Sequence, residues 1–204
     1  MINNLELIKS LLKFENDDDF YYLQILQRKK DPNPIGLPTG SNNNARTIKN
    51  YYISNLEYLD KKMPEIIALC KLFNARASIR LNKRSYKKVA FRTLQKVAGI
   101  LANGEHSHLK TAYSKACGNG HNAGNAKSWI IDIDDFEEPE QSKWLNDLQD
   151  YINDCRPEGN KILAKIPTKS GIHLITKPFD LQKFKNDYRN IDIHKDNPTN
   201  LYIP

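Results

Sequence analysis

Residues 128–134 read SWIIDID, and residues 161–177 read KILAKIPTKSGIHLITK. Side chains alternate faces along a strand, so the first stretch puts Ile131 and Ile133 on one face and Asp132 and Asp134 on the other. The second stretch divides into two strands, 161–167 and 171–177, joined by a short TKS link, which predicts a hairpin. Between the two stretches, residues 141–154 carry Trp144, Leu145, Leu148, Tyr151 and Ile152 at helical spacing, and RPEGN forms a turn. After the hairpin, residues 180–189 set Leu181, Phe184 and Tyr188 on one helical face, and one or two short strands follow across 190–203.

The predicted order is β-α-β-β-α-β, the ferredoxin-like or RNA-recognition-motif plan. In that plan the third and fourth strands flank the first, two helices cover one face, and the other face is open. Ile172 and Leu174 then pack under the helices while Gly171 and His173 face outward, and Ile191 and Ile193 pack inward while Asp192 and His194 face outward. Two carboxylates one residue apart repel each other unless a cation lies between them. Hard oxygen donors suit Mg²⁺ or Mn²⁺, and a third carboxylate from a neighbouring strand completes a two-metal clamp for phosphoryl transfer. In TKSGIH, Lys169, Ser170 and His173 offer donors to phosphate oxygens, and Gly171 lets a phosphate chain approach the backbone.

The remainder of the chain, 1–127, reads as a smaller α/β lobe with long loops, forming one compact domain with the lobe at 128–204. Strands are expected at 20–28, 47–53 and 75–81, and helices behind a Ser54–Glu57 capping box and at 85–102. Pro64 marks a kink in the first of these helices. The 85–102 helix turns Val89, Leu94, Val97, Ala98 and Leu101 inward. The stretch DPNPIGLPTGSNNN reads as a loop, and 103–127 as a long connection with a short helix at 107–116. The overall expectation is an α/β (α+β) protein.

The motifs WIIDID, GIH within TKSGIH, and Ile191-Asp192 within NIDIHKDNPTNLY resemble, in that order, the signatures of the archaeo-eukaryotic primase superfamily, which includes the primase-polymerases. The resemblance covers roughly 129–202. It implies a modified RNA-recognition-motif fold preceded by an α/β lobe, metal ligation by Asp132, Asp134 and Asp192, and triphosphate contacts by His173 and the Lys169–Ser170 segment. It also makes Lys195 a nucleotide-binding candidate. Asp196 shares the face of Asp192 if the strand continues, and is the alternative third ligand. The function implied is a template-dependent nucleotidyltransferase of primase or primase-polymerase type. It would act on nucleoside triphosphates and a single-stranded DNA or RNA template, with a helicase or other replication protein supplied separately. A non-catalytic single-strand binder and a metal-dependent nuclease are the rival readings.

Net charge is +7, which favours a polyanionic partner. In RASIRLNKRSY, the residues Arg76, Arg80, Lys83 and Arg84 are candidates for tracking a nucleic-acid backbone. His106, His108, Cys117 and His121 have the residue types of a zinc site but not the spacing of a common zinc motif, so zinc is not expected. GNGHNAGNAK lacks the Gly-Lys-Ser/Thr ending of a phosphate loop, so no NTPase module is expected. No apolar run reaches the roughly 20 residues needed to span a bilayer. The three scattered cysteines suit a reducing cytoplasm.

Overall fold

The computed structural model describes residues 1–28, 45–120, 127–136 and 141–204. Its elements run β1 (Ile2–Asn3), α1 (Leu5–Leu11), β2 (Asp19–Arg28), β3 (Ala45–Ile53), α2 (Leu56–Phe73), β4 (Arg76–Arg80), β5 (Arg84–Ser85) and α3 (Tyr86–Ala102). A 3-10 helix (His106–Thr111) and α4 (Ala112–Cys117) follow. The second half holds β6 (Trp129–Asp134), α5 (Ser142–Asp154), β7 (Ile162–Pro167), β8 (Gly171–Thr176), α6 (Leu181–Asp187), β9 (Asp192–His194) and β10 (Pro198–Ile203). The chain is thus of mixed α+β class with antiparallel sheets, as expected.

The second sheet has four strands in the order β7-β8-β6-β9, and its elements from β6 to β9 follow the expected β-α-β-β-α-β succession. The first sheet has the order β1-β10-β4-β2-β3, with β5 paired to β2. One boundary differs from expectation. The final strand, β10, does not belong to the second lobe but lies between β1 and β4 in the first sheet. Its Thr199, Leu201, Tyr202 and Ile203 are buried there, and the apolar content of that strand explains the placement, since an edge position on the second sheet would expose it.

Each face of the second sheet has its own packing. Trp129, Ile131, Ile133 and Leu174 pack with Leu145, Leu148 and Ile152 of α5 and Phe184 of α6. Trp144 of α5 was expected on that inner face but is 39% exposed. The other face was expected to be open, yet Ile130, Ile166 and Ile175 pack into the first sheet's core with Ile8, Ile25, Ile79 and Leu201. Ile130 shares the alternation of Asp132, so the same face that carries acid at one end carries oil at the other. The cleft between the sheets therefore closes at the Ile130 end and opens toward Asp134.

α2 runs unbroken through the exposed Pro64. It is capped by Asn55, whose side chain accepts from the Tyr58 amide at 2.7 Å, in place of the expected Ser54–Glu57 box. On the opposite side of the first sheet, Phe20, Tyr22, Val89, Ala116 and Cys117 form a third core with Tyr52, Tyr86 and Tyr113. α3 buries only Val89 of its expected inward set, leaving Leu94 at 65% and Leu101 at 50% exposure. It packs against α4 and the 3-10 helix, and that contact leaves its apolar stripe facing solvent.

The link between β9 and β10 is held by charge. Arg84 is fully buried, and its three nitrogens donate to Asp196 Oδ2 at 2.6 Å, the Cys117 carbonyl at 2.9 Å and the Asn82 carbonyl at 2.7 Å. Asn82 donates to the other Asp196 oxygen at 3.1 Å, and Arg80 donates to the Asp196 backbone carbonyl. Removing one member of such a pair strands the other charge in the interior at about 3–5 kcal/mol. Asp196→Asn should therefore lower stability by about 3 kcal/mol in denaturant titration, whereas Asp192→Asn, at an exposed position, should stay within about 0.5 kcal/mol of the parent. Equal effects of the two would contradict this division of roles.

Candidate active site

Register brings the expected residues together on the second sheet. Asp132 pairs with His173 of β8 on one side and with Asp192 of β9 on the other. The His173 ring lies between two partners, with Nε2 at 3.3 Å from Asp132 Oδ1 and Nδ1 at 2.8 Å from the hydroxyl of Thr199. His194 Nε2 stands 3.8 Å from the second Asp132 oxygen. The hydrogen bond from His173 holds the Asp132 carboxyl below the usual carboxylate range against the opposing effect of burial, with His173, His194 and Arg28 adding attraction. Asp132 is thus kept ionised at the centre of the arrangement. Asp134 and Asp192 are exposed.

Asp134 is paired with Gly171 at the start of β8. The turn before it is closed by the Thr168 amide donating to the Gly171 carbonyl at 2.9 Å, which presents Lys169 and Ser170 at the tip. A side chain at Gly171 would drive into the Ile133 carbonyl and approach the Asp134 Cα to 3.1 Å. The glycine therefore serves the close crossing of β6 and β8, and the space reserved for a phosphate in the sequence reading is filled by backbone. Lys169, Ser170 and Gly171 line a shallow recess with Asp135 and Phe136. Lys169 also borders a second recess of about 350 Å³ that contains Arg76.

Several expected site residues lie elsewhere. Asp196 is committed to Arg84, Arg80 and Asn82, so it is not the alternative ligand. Arg84 is buried and Arg80 is largely so, both serving that same carboxylate, and neither presents its charge to a nucleic-acid backbone. Lys83 bridges Asp19 at 2.9 Å and Glu15 at 2.8 Å. Of that basic cluster, only Arg76 faces a recess near the TKSG turn. Lys195 is also displaced: its ammonium sits 5.4 Å over the Trp129 ring, on the helix-covered side of the sheet and away from Asp132. Strand alternation explains this, since Asp192 and His194 take one face and Ile193 and Lys195 the other. Of the zinc-type residues, His106 and His108 are exposed while Cys117 is buried among aromatics, and His121 lies outside the described residues. The loop DPNPIGLPTGSNNN also lies outside them.

Three groups around the Asp132–His173 pair were missed or left without a role. Thr199 comes from β10 of the other sheet, and no local pattern links it to His173. Arg28 ends β2 and enters only through the folding of the two sheets together. His194 was placed on the right face by alternation, but its approach to Asp132 depends on register.

The donor set has the chemistry of a Mg²⁺ or Mn²⁺ site: three carboxylates on one face of two adjacent strands, with Asp132 ionised. Among the described residues no three His, Cys, Asp or Glu side chains are already gathered tightly enough to hold an ion. No helix among the described residues is long and apolar enough to cross a membrane. Comparison with models of known protein families, with curated proteins and with solved structures finds no match.

The crossing at Gly171 yields a direct test. Gly171→Ala should cost about 1–3 kcal/mol through the forced separation of β6 and β8, and it should weaken amide protection at Ile133 and Asp134 in hydrogen exchange. An alanine variant as stable as the parent would show that the strands part without penalty.

Proposed function

We propose that the chain is a template-dependent nucleotidyltransferase of the primase or primase-polymerase type, built on an RNA-recognition-motif-like lobe. The observation that carries the reading is the register of Asp132 between His173 and Asp192 on three adjacent strands. The order of the three motifs along the chain supports it independently. Mg²⁺ or Mn²⁺ held by Asp132, Asp134 and Asp192 would make the attacking 3′-hydroxyl a better nucleophile and neutralise the leaving pyrophosphate.

The chain's own groups have separable tasks in this reading. His173, braced by Thr199, keeps Asp132 ionised, and with both ring nitrogens engaged the triphosphate contacts expected of it fall to Lys169 and Ser170. Lys169 and Ser170 border the recess at Asp135, next to Asp134, where the β- and γ-phosphates of an incoming nucleoside triphosphate would lie, and Lys169 also borders the recess of Arg76. Ile130, Ile166 and Ile175 close the cleft behind the carboxylates and exclude water from that end. The substrates are nucleoside triphosphates and a single-stranded DNA or RNA template, and a helicase or other replication protein would open a duplex.

The test uses purified protein, a single-stranded template, labelled nucleotides and Mg²⁺ or Mn²⁺, with products sized on a gel. The parent should extend or start chains, and Asp132→Asn/Asp134→Asn should abolish synthesis without unfolding. Lys169→Ala should weaken nucleotide binding by about tenfold to a hundredfold, corresponding to one charge-assisted contact of roughly 1.5–3 kcal/mol. Absence of synthesis by the parent, with single-strand binding intact, would favour the non-catalytic binder.

A further inference from the structure

Two cavities lie side by side where β6 begins, at the end of the strand remote from Asp134. One, of about 360 Å³, has Lys13, Lys127 and Lys177 on its rim and Tyr21, Leu81 and Leu163 among its apolar walls. The other, of about 430 Å³, shares Lys127 and adds Lys195, Trp129 and Asn119. Between them stands Asn82, only 3% exposed. Its side chain accepts from the Ser128 amide at 2.6 Å and donates to the carbonyls of Ser128 at 3.1 Å and Lys195 at 2.9 Å. That bracket fixes the start of β6 against the link that follows β9, so both cavities share one rigid floor.

The charge on this rim is unbalanced. The acids bordering the cavities are Glu15 and Asp196, and each already has a cation: Lys83 at 2.8 Å and Arg84 at 2.6 Å. Lys13, Lys127, Lys177 and Lys195 are all exposed. We propose that this paired groove binds single-stranded nucleic acid, with the four lysines following successive phosphates and the two cavities admitting unstacked bases. A basic rim over an apolar floor is the pattern by which single strands are held without sequence preference. A duplex presents its phosphates on a wide convex cylinder, and it cannot lower bases into cavities of this size. From Trp129 to Asp134 the strand rises about 17 Å at roughly 3.3 Å per residue, and the apolar closure at Ile130 stands between, so the groove holds nucleic acid apart from the carboxylates. The inference rests on the nucleotidyltransferase reading and gives the template an anchoring surface remote from the carboxylates, in place of the expected contacts by Arg80, Lys83 and Arg84.

The experiment titrates the full chain with fluorescein-labelled oligo(dT) and with oligo(rU) of equal length, followed by anisotropy across a salt series. The variant K13Q/K127Q/K177Q/K195Q is compared with K61Q/K71Q/K87Q/K88Q, which removes equal charge from exposed positions on α2 and α3. Thermal melting confirms that both remain folded, and the single variants K13Q and K177Q serve if the quadruple one does not. The groove variant should bind at least about tenfold more weakly. Its slope of log affinity against log salt should fall by about 2–3, near 0.7 for each lost phosphate contact. Each single variant should lose about 0.7 of that slope. The control should stay close to the parent, and a loss with either oligonucleotide supports the groove. Equal losses in the two quadruple variants would reduce the effect to net charge and overturn the proposal. Parent-like binding by the groove variant, or equally tight duplex binding at the same lysines, would also overturn it. Synthesis lost in Asp132→Asn/Asp134→Asn with binding retained bears on catalysis alone, so the two readings fail separately.

Discussion

Arg84 has no access to water, and its charge is answered by one carboxylate, Asp196, in the short link between β9 and β10. At that link the chain leaves the second sheet and enters the first. With Asp196 anchored by Arg84, Arg80 and Asn82, β9 can lie against β6 while β10 lies between β1 and β4. The desolvation cost of such a buried guanidinium is large, and it is offset only because each nitrogen that donates finds an oxygen. The position of Asp192, and hence the distance between carboxylates on β6 and β9, depends on this electrostatic clamp standing a few residues away.

The same clamp organises the site from the other side. Once β10 is seated in the first sheet, Thr199 meets His173, and His173 meets Asp132. A histidine in a sheet with one ring nitrogen unmatched would turn; here both nitrogens have a partner and the ring is held. Asp132 is thus stabilised as an anion by groups from β8, β9 and the end of β2, each delivered by a different part of the chain. Acid and apolar residues alternate on a single strand, so the cleft is dry at Ile130 and wet at Asp134 without any change of secondary structure.

Much of this was legible in the order of residues. WIIDID, GIHLIT and the helix at Leu145–Ile152 carry periods that can be read without a partner, and the strands and helices they predict are present. The facing of Asp132, His173 and Asp192 followed from alternation alone. What could not be read was non-local. Arg84 looks like a surface cation until Asp196 is brought to it, whereas Lys195 entered through the resemblance although the alternation that turns Asp192 outward already turns it away. The apolar stripe of α3 has helical spacing, but spacing does not say whether anything lies against it. Gly171 was correctly singled out, but for a ligand rather than for the backbone of β6 that occupies the space. The assignment of β10 was misread because sequence succession was taken as spatial succession.

That last strand also governs how the protein can assemble. Residues 2–3 pair with residues 202–203, and β4 pairs with residues 198–202. The first sheet therefore has a gap in its middle until the whole second sheet has been made and folded. Contacts of such sequence separation are slow to form, because the loop entropy must be lost before the pairing returns anything. On a ribosome, the first half would wait with the edge of β4 unpaired, an invitation to wrong partners. Cutting the chain at the apparent boundary near residue 127 would make that waiting state permanent, so the two halves should be obtained as folded protein only when produced together.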